Sequence, residues 1–131
     1  MAPKNKVAII TGGARGIGRG CALRLAEKGC AIVLVDILDS EMAATQQEIQ
    51  DLGTECIVFN ADVADHKKAK DIVIVVNKTF GRLDILVNNA GKSMPTGILE
   101  IEEEEWDRTI DINLKSCFNW IQAVAPYMLE Y

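Results

Sequence analysis

The sequence lacks an excess of basic residues. It has 14 Lys and Arg against 19 Asp and Glu, which gives its 131 residues a formal net charge of −5 at pH 7. Nucleic acids and anionic membrane surfaces attract proteins through basic surfaces. The charge balance therefore indicates neither of these as a partner.

Long apolar segments are absent as well. The first apolar run covers only Val7 to Ile10, which is too short for the core of a signal peptide, and no later segment is long enough to cross a bilayer. We therefore expect a cytoplasmic protein with no membrane partner.

Closely spaced metal ligands are also lacking. The four cysteines are too far apart for the C-x-x-C spacing of metal and redox sites, and we expect reduced core thiols at Cys21, Cys30, Cys56 and Cys117. Four consecutive glutamates, residues 102–105, point in different directions on a helix and cannot converge on one ion. They are typical of the acidic first turn of a helix, so no metal site is predicted.

The sequence does contain a regular alternation of short apolar runs and longer helical patterns. Four runs without polar alternation predict strands covered on both faces: Val7–Ile10, Ala31–Val35, Cys56–Phe59 and Ile85–Val87. Strands alternating with helices predict an α/β fold, with a parallel sheet and helices on both faces. Because 49% of the 131 residues are hydrophobic, we expect a single domain, or part of one, around one core.

The helical patterns have recognisable ends. Glycines that can adopt left-handed backbone angles follow the first three predicted helices: Gly29, Gly53 and Gly81. Asp65 is a candidate N-cap of the third helix. The only histidine, His66, follows it beside two lysines and is expected to be solvated rather than catalytic. A last helix is predicted from about Glu102 to Met128, after a surface loop at residues 92–99.

A glycine-rich turn follows the first predicted strand. Gly12, Gly16 and Gly18 remove side chains where the chain turns, where backbone approaches a pyrophosphate, and where the next helix packs on the strand. The N-terminus of that helix offers free N–H groups to phosphates. The spacing is G-x-x-x-G-x-G rather than the common G-x-G-x-x-G, and a merely tight turn remains an alternative interpretation.

Asp36 follows the second predicted strand. Its carboxylate can accept hydrogen bonds from the diol of an adenine ribose and would repel a 2′-phosphate, which favours NAD over NADP. Arg15 argues the other way, because its guanidinium could pair with a 2′-phosphate. The carboxylate is the more direct determinant, so we predict NAD. The alternative is that Asp36 only caps a turn or helix.

Two further motifs follow the third and fourth predicted strands. Asp62 and Val63 could offer a carboxylate to an adenine amino group and an apolar surface to the ring, although an aspartate here could simply cap the next helix. The segment Asn88-Asn89-Ala90-Gly91 has amides that can link neighbouring strand ends and small residues that let a ribose approach the backbone. An ordinary Asn/Gly turn is the alternative.

Together these motifs resemble the cofactor-binding part of the short-chain dehydrogenase/reductase family, over Lys6 to Tyr131. The resemblance implies a Rossmann-like sheet with strand order 3-2-1-4 and a bound dinucleotide. It implies contacts to the pyrophosphate and adenosine from Gly12, Arg15, Gly16, Ile17 and Gly18. It further implies ribose contacts from Asp36, adenine contacts from Asp62 and Val63, and contacts around the cofactor's ribose from Asn89, Ala90 and Gly91. Asn113 matches the family's helix asparagine, which supports a proton relay, although a polar kink within a helix is the alternative.

The family's catalytic serine, tyrosine and lysine have no counterparts in these 131 residues. Tyr127 has Tyr131 where a lysine would have to stand four residues later, so both tyrosines are interpreted as residues at the end of a surface helix. We therefore expect the cofactor-binding portion of an NAD(P)-dependent oxidoreductase acting on an alcohol or ketone, truncated before the fifth strand and inactive alone. A non-catalytic nucleotide-binding or interaction module is the alternative.

The same truncation predicts exposed apolar surface. The fourth strand, Ile85–Val87, would form an open edge, and the last helix would present an uncovered stripe that includes Phe118, Ile121 and Ala125. We therefore predict a homo-oligomer formed through the C-terminal half.

Overall fold

A computed structural model of the chain describes residues 5–130, so the first four residues and Tyr131 lie outside it. The strands are β1 (Val7–Thr11), β2 (Ala31–Asp36), β3 (Cys56–Asn60) and β4 (Ile85–Val87). The helices are α1 (Gly16–Glu27), α2 (Asp39–Asp51), α3 (His66–Phe80), α4 (Glu103–Ile110) and α5 (Ser116–Met128), with a π-helical turn, Asp111–Lys115, between the last two.

The four strands form one parallel sheet in the order β3-β2-β1-β4. In its register Ile9 lies beside Val33 on one side and Leu86 on the other. The predicted strand order is confirmed. β1, β2 and β3 each extend one residue beyond the predicted end, and the added residues of β1 and β2 are the polar Thr11 and Asp36.

Apolar side chains cover both faces of the sheet. On one face, Ile9 and Val33 pack against residues of α3 and α5, such as Val73 and Trp120. On the other face, residues of β1 and β2 pack against α1 and α2, including Ile10, Leu34, Ala22 and Ile49. Burying such an aliphatic side chain contributes about 2 kcal/mol, which explains why the strands need continuous Val, Ile and Leu.

The predicted helix ends are confirmed for α3. The Asp65 carboxylate accepts a hydrogen bond from the Lys68 N–H at 2.9 Å, which caps the N-terminus. Gly81 ends the helix with φ of +73°. His66 was expected to be solvated, and it is half-exposed. Its Nδ1 lies 2.8 Å from Oδ1 of the fully buried Asn119, because α5 packs against the start of α3.

The last helical segment differs from the single regular helix predicted from the sequence. Its bounds agree, but the π-helical turn Asp111–Lys115 interrupts it and contains Asn113. Single π-helical turns occur within longer helices, frequently near functional sites. The apolar residues of this segment are spaced by three or four, as in a regular α-helix, so the pattern did not predict this turn.

The predicted apolar stripe on this segment is exposed at Phe118 and Ile121, whereas Ala125 is half-buried. The exposed stripe comprises five residues that keep a third or more of their surface exposed: Trp106, Ile110, Leu114, Phe118 and Ile121. β4 lies at the edge of the sheet and its three side chains are half-buried. Within residues 5–130 no cysteine is in a disulfide, but only Cys30 and Cys56 are buried, whereas Cys21 and Cys117 are half-exposed because they lie on helix flanks.

Candidate functional site

A cleft of about 420 Å³ lies at the carboxyl ends of the strands, a size typical of ligand pockets. Nine of the eleven residues predicted to bind a cofactor line it: Gly12, Arg15, Gly16, Asp36, Asp62, Val63, Asn89, Ala90 and Gly91. Ile17 and Gly18 do not. The Ile17 side chain is 80% exposed at the start of α1, and Gly18 is buried beneath the turn.

The glycine-rich turn is bare on the side that faces the cleft. A Cβ on Gly18 would lie 2.2 Å from the Gly12 carbonyl oxygen, and a Cβ on Gly12 would lie 2.8 Å from the Asn89 amide nitrogen. Gly16 has a φ of +59° and open space where its Cβ would be. No side chain caps the N-terminus of α1. The turn therefore leaves room and helix N–H groups for an anion, as a diphosphate requires.

Thr11 and Asn89 join the ends of β1 and β4. The Thr11 hydroxyl oxygen accepts hydrogen bonds from the backbone N–H groups of Asn89 and Ala90, both at 3.1 Å. The Asn89 side-chain amide donates to the carbonyl oxygens of Thr11 and Gly12 at 3.1 and 3.0 Å. The Asn-Asn-Ala-Gly segment therefore holds the glycine-rich turn in place from the neighbouring strand.

Asp36 is anchored by three backbone N–H groups. Its Oδ2 accepts from Ala14 at 3.0 Å, within the glycine-rich turn, and its Oδ1 accepts from Ile37 and Leu38 at 2.7 and 3.3 Å. The carboxylate is half-buried and lines the cleft. The bonds from Ile37 and Leu38 are those of a turn residue, which was the alternative interpretation of Asp36. The same contacts also fix a negative charge beside the turn.

Asp62 has a partner that the sequence did not suggest. Its Oδ2 accepts a hydrogen bond from Nη2 of Arg108 on α4 at 2.6 Å, while its Oδ1 accepts from the Ala64 N–H at 2.9 Å. Arg108 itself lines the cleft. The sequence held no signal for this pair, because Arg108 stands 46 residues after Asp62.

Asn113 does not line the cleft, but it holds a residue that does. Its side-chain Oδ1 accepts from the Lys92 N–H, and its Nδ2 donates to the Lys92 carbonyl oxygen, both at 2.8 Å. Lys92 begins the predicted surface loop, which has no regular structure. The side chain of Asn113 is therefore occupied with the backbone of this loop.

Residues 5–130 have neither a metal-binding cluster nor a membrane-spanning helix. No group of three or more His, Cys, Asp or Glu side chains is placed to hold a metal ion. None of the described helices is both long enough and apolar enough to cross a membrane. Glu103, Glu104 and Glu105 lie in the first turn of α4, as predicted.

Residues 6–131 match the family model described as short chain dehydrogenase. The chain belongs to this family. The predicted resemblance is thereby confirmed, and so is the Rossmann-like fold, because solved structures of the family superpose on nearly the whole chain.

Three known proteins illustrate the similarity. The chain is 42% identical over 127 residues to the 3-oxoacyl-[acyl-carrier-protein] reductase FabG of Staphylococcus epidermidis, covering 96% of the chain and 52% of the relative. A carveol dehydrogenase from Mycobacterium avium in complex with NAD superposes with a TM-score of 0.93 at 32% identity, covering 98% and 51% of the two chains. A short chain dehydrogenase from Burkholderia cenocepacia J2315 in complex with NADP gives a TM-score of 0.93 at 32% identity, covering 98% and 53%.

The chain spans about half the length of the curated relatives that it matches. Short-chain dehydrogenases similar to it have been solved with NAD and with NADP. Solved members of the family thus include proteins bound to either dinucleotide.

Proposed function

We propose that this chain binds NAD in the cleft as the cofactor-binding part of an oxidoreductase that interconverts an alcohol and a ketone. One observation carries the proposal: the Asp36 carboxylate is hydrogen-bonded to Ala14 within the glycine-rich turn. Because of this bond, a site for a diphosphate and an acceptor for a ribose diol belong to one rigid unit. Their separation needs no adjustment when a dinucleotide binds.

The fit of a dinucleotide rests on the order of the strands. Asp36 ends β2 and Asp62 follows β3 on one side, the glycine-rich turn follows β1, and Asn89 to Gly91 follow β4 on the other. We place adenosine beside Asp36, Asp62 and Val63, the pyrophosphate at the turn, and the second ribose beside Ala90 and Gly91. When bound, NAD supplies the hydride acceptor of the reaction.

Charge in the cleft favours NAD over NADP. A 2′-phosphate would stand against the fixed carboxylate of Asp36, and like charges at close range cost on the order of several kcal/mol at a moderate effective dielectric. Arg15 is the opposing charge, since its exposed guanidinium lines the same cleft. Asp36 is held by three backbone hydrogen bonds, so it cannot turn away from the phosphate as a flexible side chain could.

Calorimetric titration of the chain with NAD and NADP tests this assignment. We expect tighter binding of NAD, and we expect Asp36→Asn to shift the ratio of the two affinities toward NADP by roughly tenfold or more. Arg15→Met is the matched variant for the opposing charge and should weaken NADP more than NAD. A preference of the unaltered chain for NADP would overturn the choice of cofactor, and binding of neither would overturn the dinucleotide site.

Cofactor binding by these 131 residues does not require that they also catalyse the reaction. Tyr127 is followed four residues later by Tyr131 rather than by a lysine, so it does not form the Tyr-x-x-x-Lys pair that supplies a general acid for hydride transfer. We propose that these residues bind the dinucleotide without catalysing alcohol oxidation on their own. NAD-linked turnover of simple alcohols by the 131-residue chain would contradict this.

We also propose that two copies of the chain associate through the apolar stripe on α4, the π-helical turn and α5. The stripe is continuous over four turns, and a second copy related by a two-fold axis would cover it with the same apolar residues. Phe118→Glu should shift the chain toward monomer in analytical ultracentrifugation. Ile74→Glu, at an exposed apolar residue of α3, is the control, and a stable monomer of the unaltered chain at high concentration would refute the proposal.

We propose a cytoplasmic location as well. The four cysteines form no disulfide within residues 5–130, which suits a reducing compartment. Fractionation of cells that express the chain tests this location, and recovery in an oxidising compartment would contradict it.

A further inference from the structure

Arg108 and Asp62 form an ion pair across the cleft. Residues 5–130 contain five ion pairs, and this is the only one of them with both partners among the residues that line the cleft. Their side chains are 46% and 41% exposed, so water and salt screen the attraction between them. Exposed pairs of this kind add little to the stability of a fold. Its position suggests a role in the cleft instead.

The hydrogen bonds of Asp62 leave it able to accept more. A carboxylate offers about four acceptor positions, two on each oxygen. Arg108 occupies one on Oδ2 and the Ala64 N–H occupies one on Oδ1. Two donors therefore fix the plane of the carboxylate from opposite ends, and each oxygen keeps one acceptor position for a ligand.

We propose that Arg108 is a positioning residue for the adenine end of the cofactor. Arg108 holds the Asp62 carboxylate in one orientation before the ligand binds. The side chain therefore loses less conformational entropy when it accepts a hydrogen bond from the adenine amino group. The proposal rests on the proposed function, because it requires adenine to lie beside Asp62 and Val63. It assigns to α4 a part in cofactor binding that the strand-end motifs do not contain.

Replacing the adenine of NAD by hypoxanthine distinguishes a positioning role of Arg108 from a purely structural role. Nicotinamide hypoxanthine dinucleotide carries a carbonyl oxygen where NAD carries the adenine amino group, so it offers no donor to the carboxylate at that position. Calorimetry with both dinucleotides compares the unaltered chain with Arg108→Met, and Arg108→Gln serves if the first variant fails to fold. Arg24→Met is the matched control, since Arg24 pairs with Glu27 on the outer surface of α1.

Loss of Arg108 should weaken NAD binding roughly two- to fivefold and leave the hypoxanthine dinucleotide nearly unchanged. Arg108→Lys should restore most of the affinity, because an ammonium can also donate to Oδ2. In an Asp62→Asn background the loss of Arg108 should have a much smaller effect, as expected when one residue acts through another.

Three results would overturn the proposal. The first is equal weakening of both dinucleotides, which indicates a general effect on the fold, and the second is unchanged NAD binding on loss of Arg108. The third is additive losses at Asp62 and Arg108. Failure of the proposed function looks different, since the unaltered chain would then bind neither dinucleotide.

Discussion

The side-chain amide of Asn113 pairs with the backbone of Lys92 through two hydrogen bonds of 2.8 Å, one in each direction. This is the pattern that a neighbouring strand would provide, supplied here by one side chain in the π-helical turn. It ties the last helical segment to the chain just after the Asn-Asn-Ala-Gly segment. Asn113 was predicted to support a proton relay, and that role stays a prediction, whereas its contacts show a tether for the loop.

Replacing Asn113 with alanine should release this tether. Both Lys92 backbone groups are at the surface and can bond to water, so we expect a loss of only about 1 kcal/mol in unfolding free energy. The clearer change should be faster hydrogen exchange of the Lys92 amide, measured by NMR. Lys115→Ala, in the same turn, is the control. Unchanged exchange at Lys92 would show that the two bonds do not hold the loop.

Gly18→Ala should destabilise the chain. The new Cβ would lie 2.2 Å from the Gly12 carbonyl oxygen and 2.5 Å from the Asn89 amide nitrogen, so α1 must shift away from the strand ends. We expect a loss of roughly 2 kcal/mol in unfolding free energy, measured by urea denaturation.

Gly20→Ala is the matched control for this substitution, since nothing lies within 4 Å of its Cβ position on the same helix. It should stabilise the chain by up to about 1 kcal/mol, because alanine is a better helix former than glycine. Equal effects of the two substitutions would contradict the close contact between Gly18 and Gly12.

Asp84 should make the stability depend on pH in the acid range. The Arg82 guanidinium, with a further hydrogen bond from the Val7 N–H, holds the pKa of this carboxyl below its ordinary value of 3.8. Since the folded-state pKa is lowered, the stabilisation is fully present above the unfolded-state value. It is lost as the pH falls below about 4 toward the folded-state value.

Asp84→Asn should therefore cost about 2 kcal/mol of unfolding free energy at pH 7, and the difference from the unaltered chain should shrink below pH 4. Thermal unfolding at a series of pH values measures it. Asp71→Asn, which removes the exposed pair with Lys67, should cost little at any pH. A difference for Asp84→Asn that stays constant down to pH 2 would contradict the assignment.

The four thiols should differ in reactivity. Burial raises the pKa of Cys56 to about 12, and burial with the nearby Asp84 charge raises the pKa of Cys30. The reactive species is the thiolate, so at pH 8 iodoacetamide should label Cys21 and Cys117 at least a hundred times faster than Cys56. Mass spectrometry reads each site, and labelling in denaturant, where all four should react alike, is the control. Rapid labelling of Cys56 in the folded chain would contradict its burial.

The sequence predicted the strands well because these depend on local patterns, whereas their order was implied by the resemblance to the family. Continuous runs of Val, Ile and Leu can be satisfied only by strands covered on both faces, and helices between them require parallel pairing. The caps at Asp65 and Gly81 were equally local, since each satisfies backbone groups within one turn. Contacts between distant parts of the chain could not be found in this way.

His66 and Arg108 show why contacts between distant parts of the chain were not predicted from the sequence. Beside two lysines at a helix start, His66 has the sequence context of a solvated residue, and only the packing of α5 places Asn119 against it. Arg108 pairs with a residue 46 positions earlier, and no periodicity in the sequence links the two. Such contacts depend on how whole helices pack, which is decided by the total fit of their apolar faces.

The sequence by itself determined the strands, the helices between them and the residues at each strand end, because the period of apolar residues and the turn-forming glycines act over a few residues at a time. The strand order followed from the resemblance to the family. Only the tertiary structure decided how these strand ends are joined: Asn89 to Thr11, Asp36 to Ala14, and Asp62 to Arg108. These bonds connect groups that are distant in the chain. They form where they do because packing on both faces of the sheet brings the strand ends to one edge.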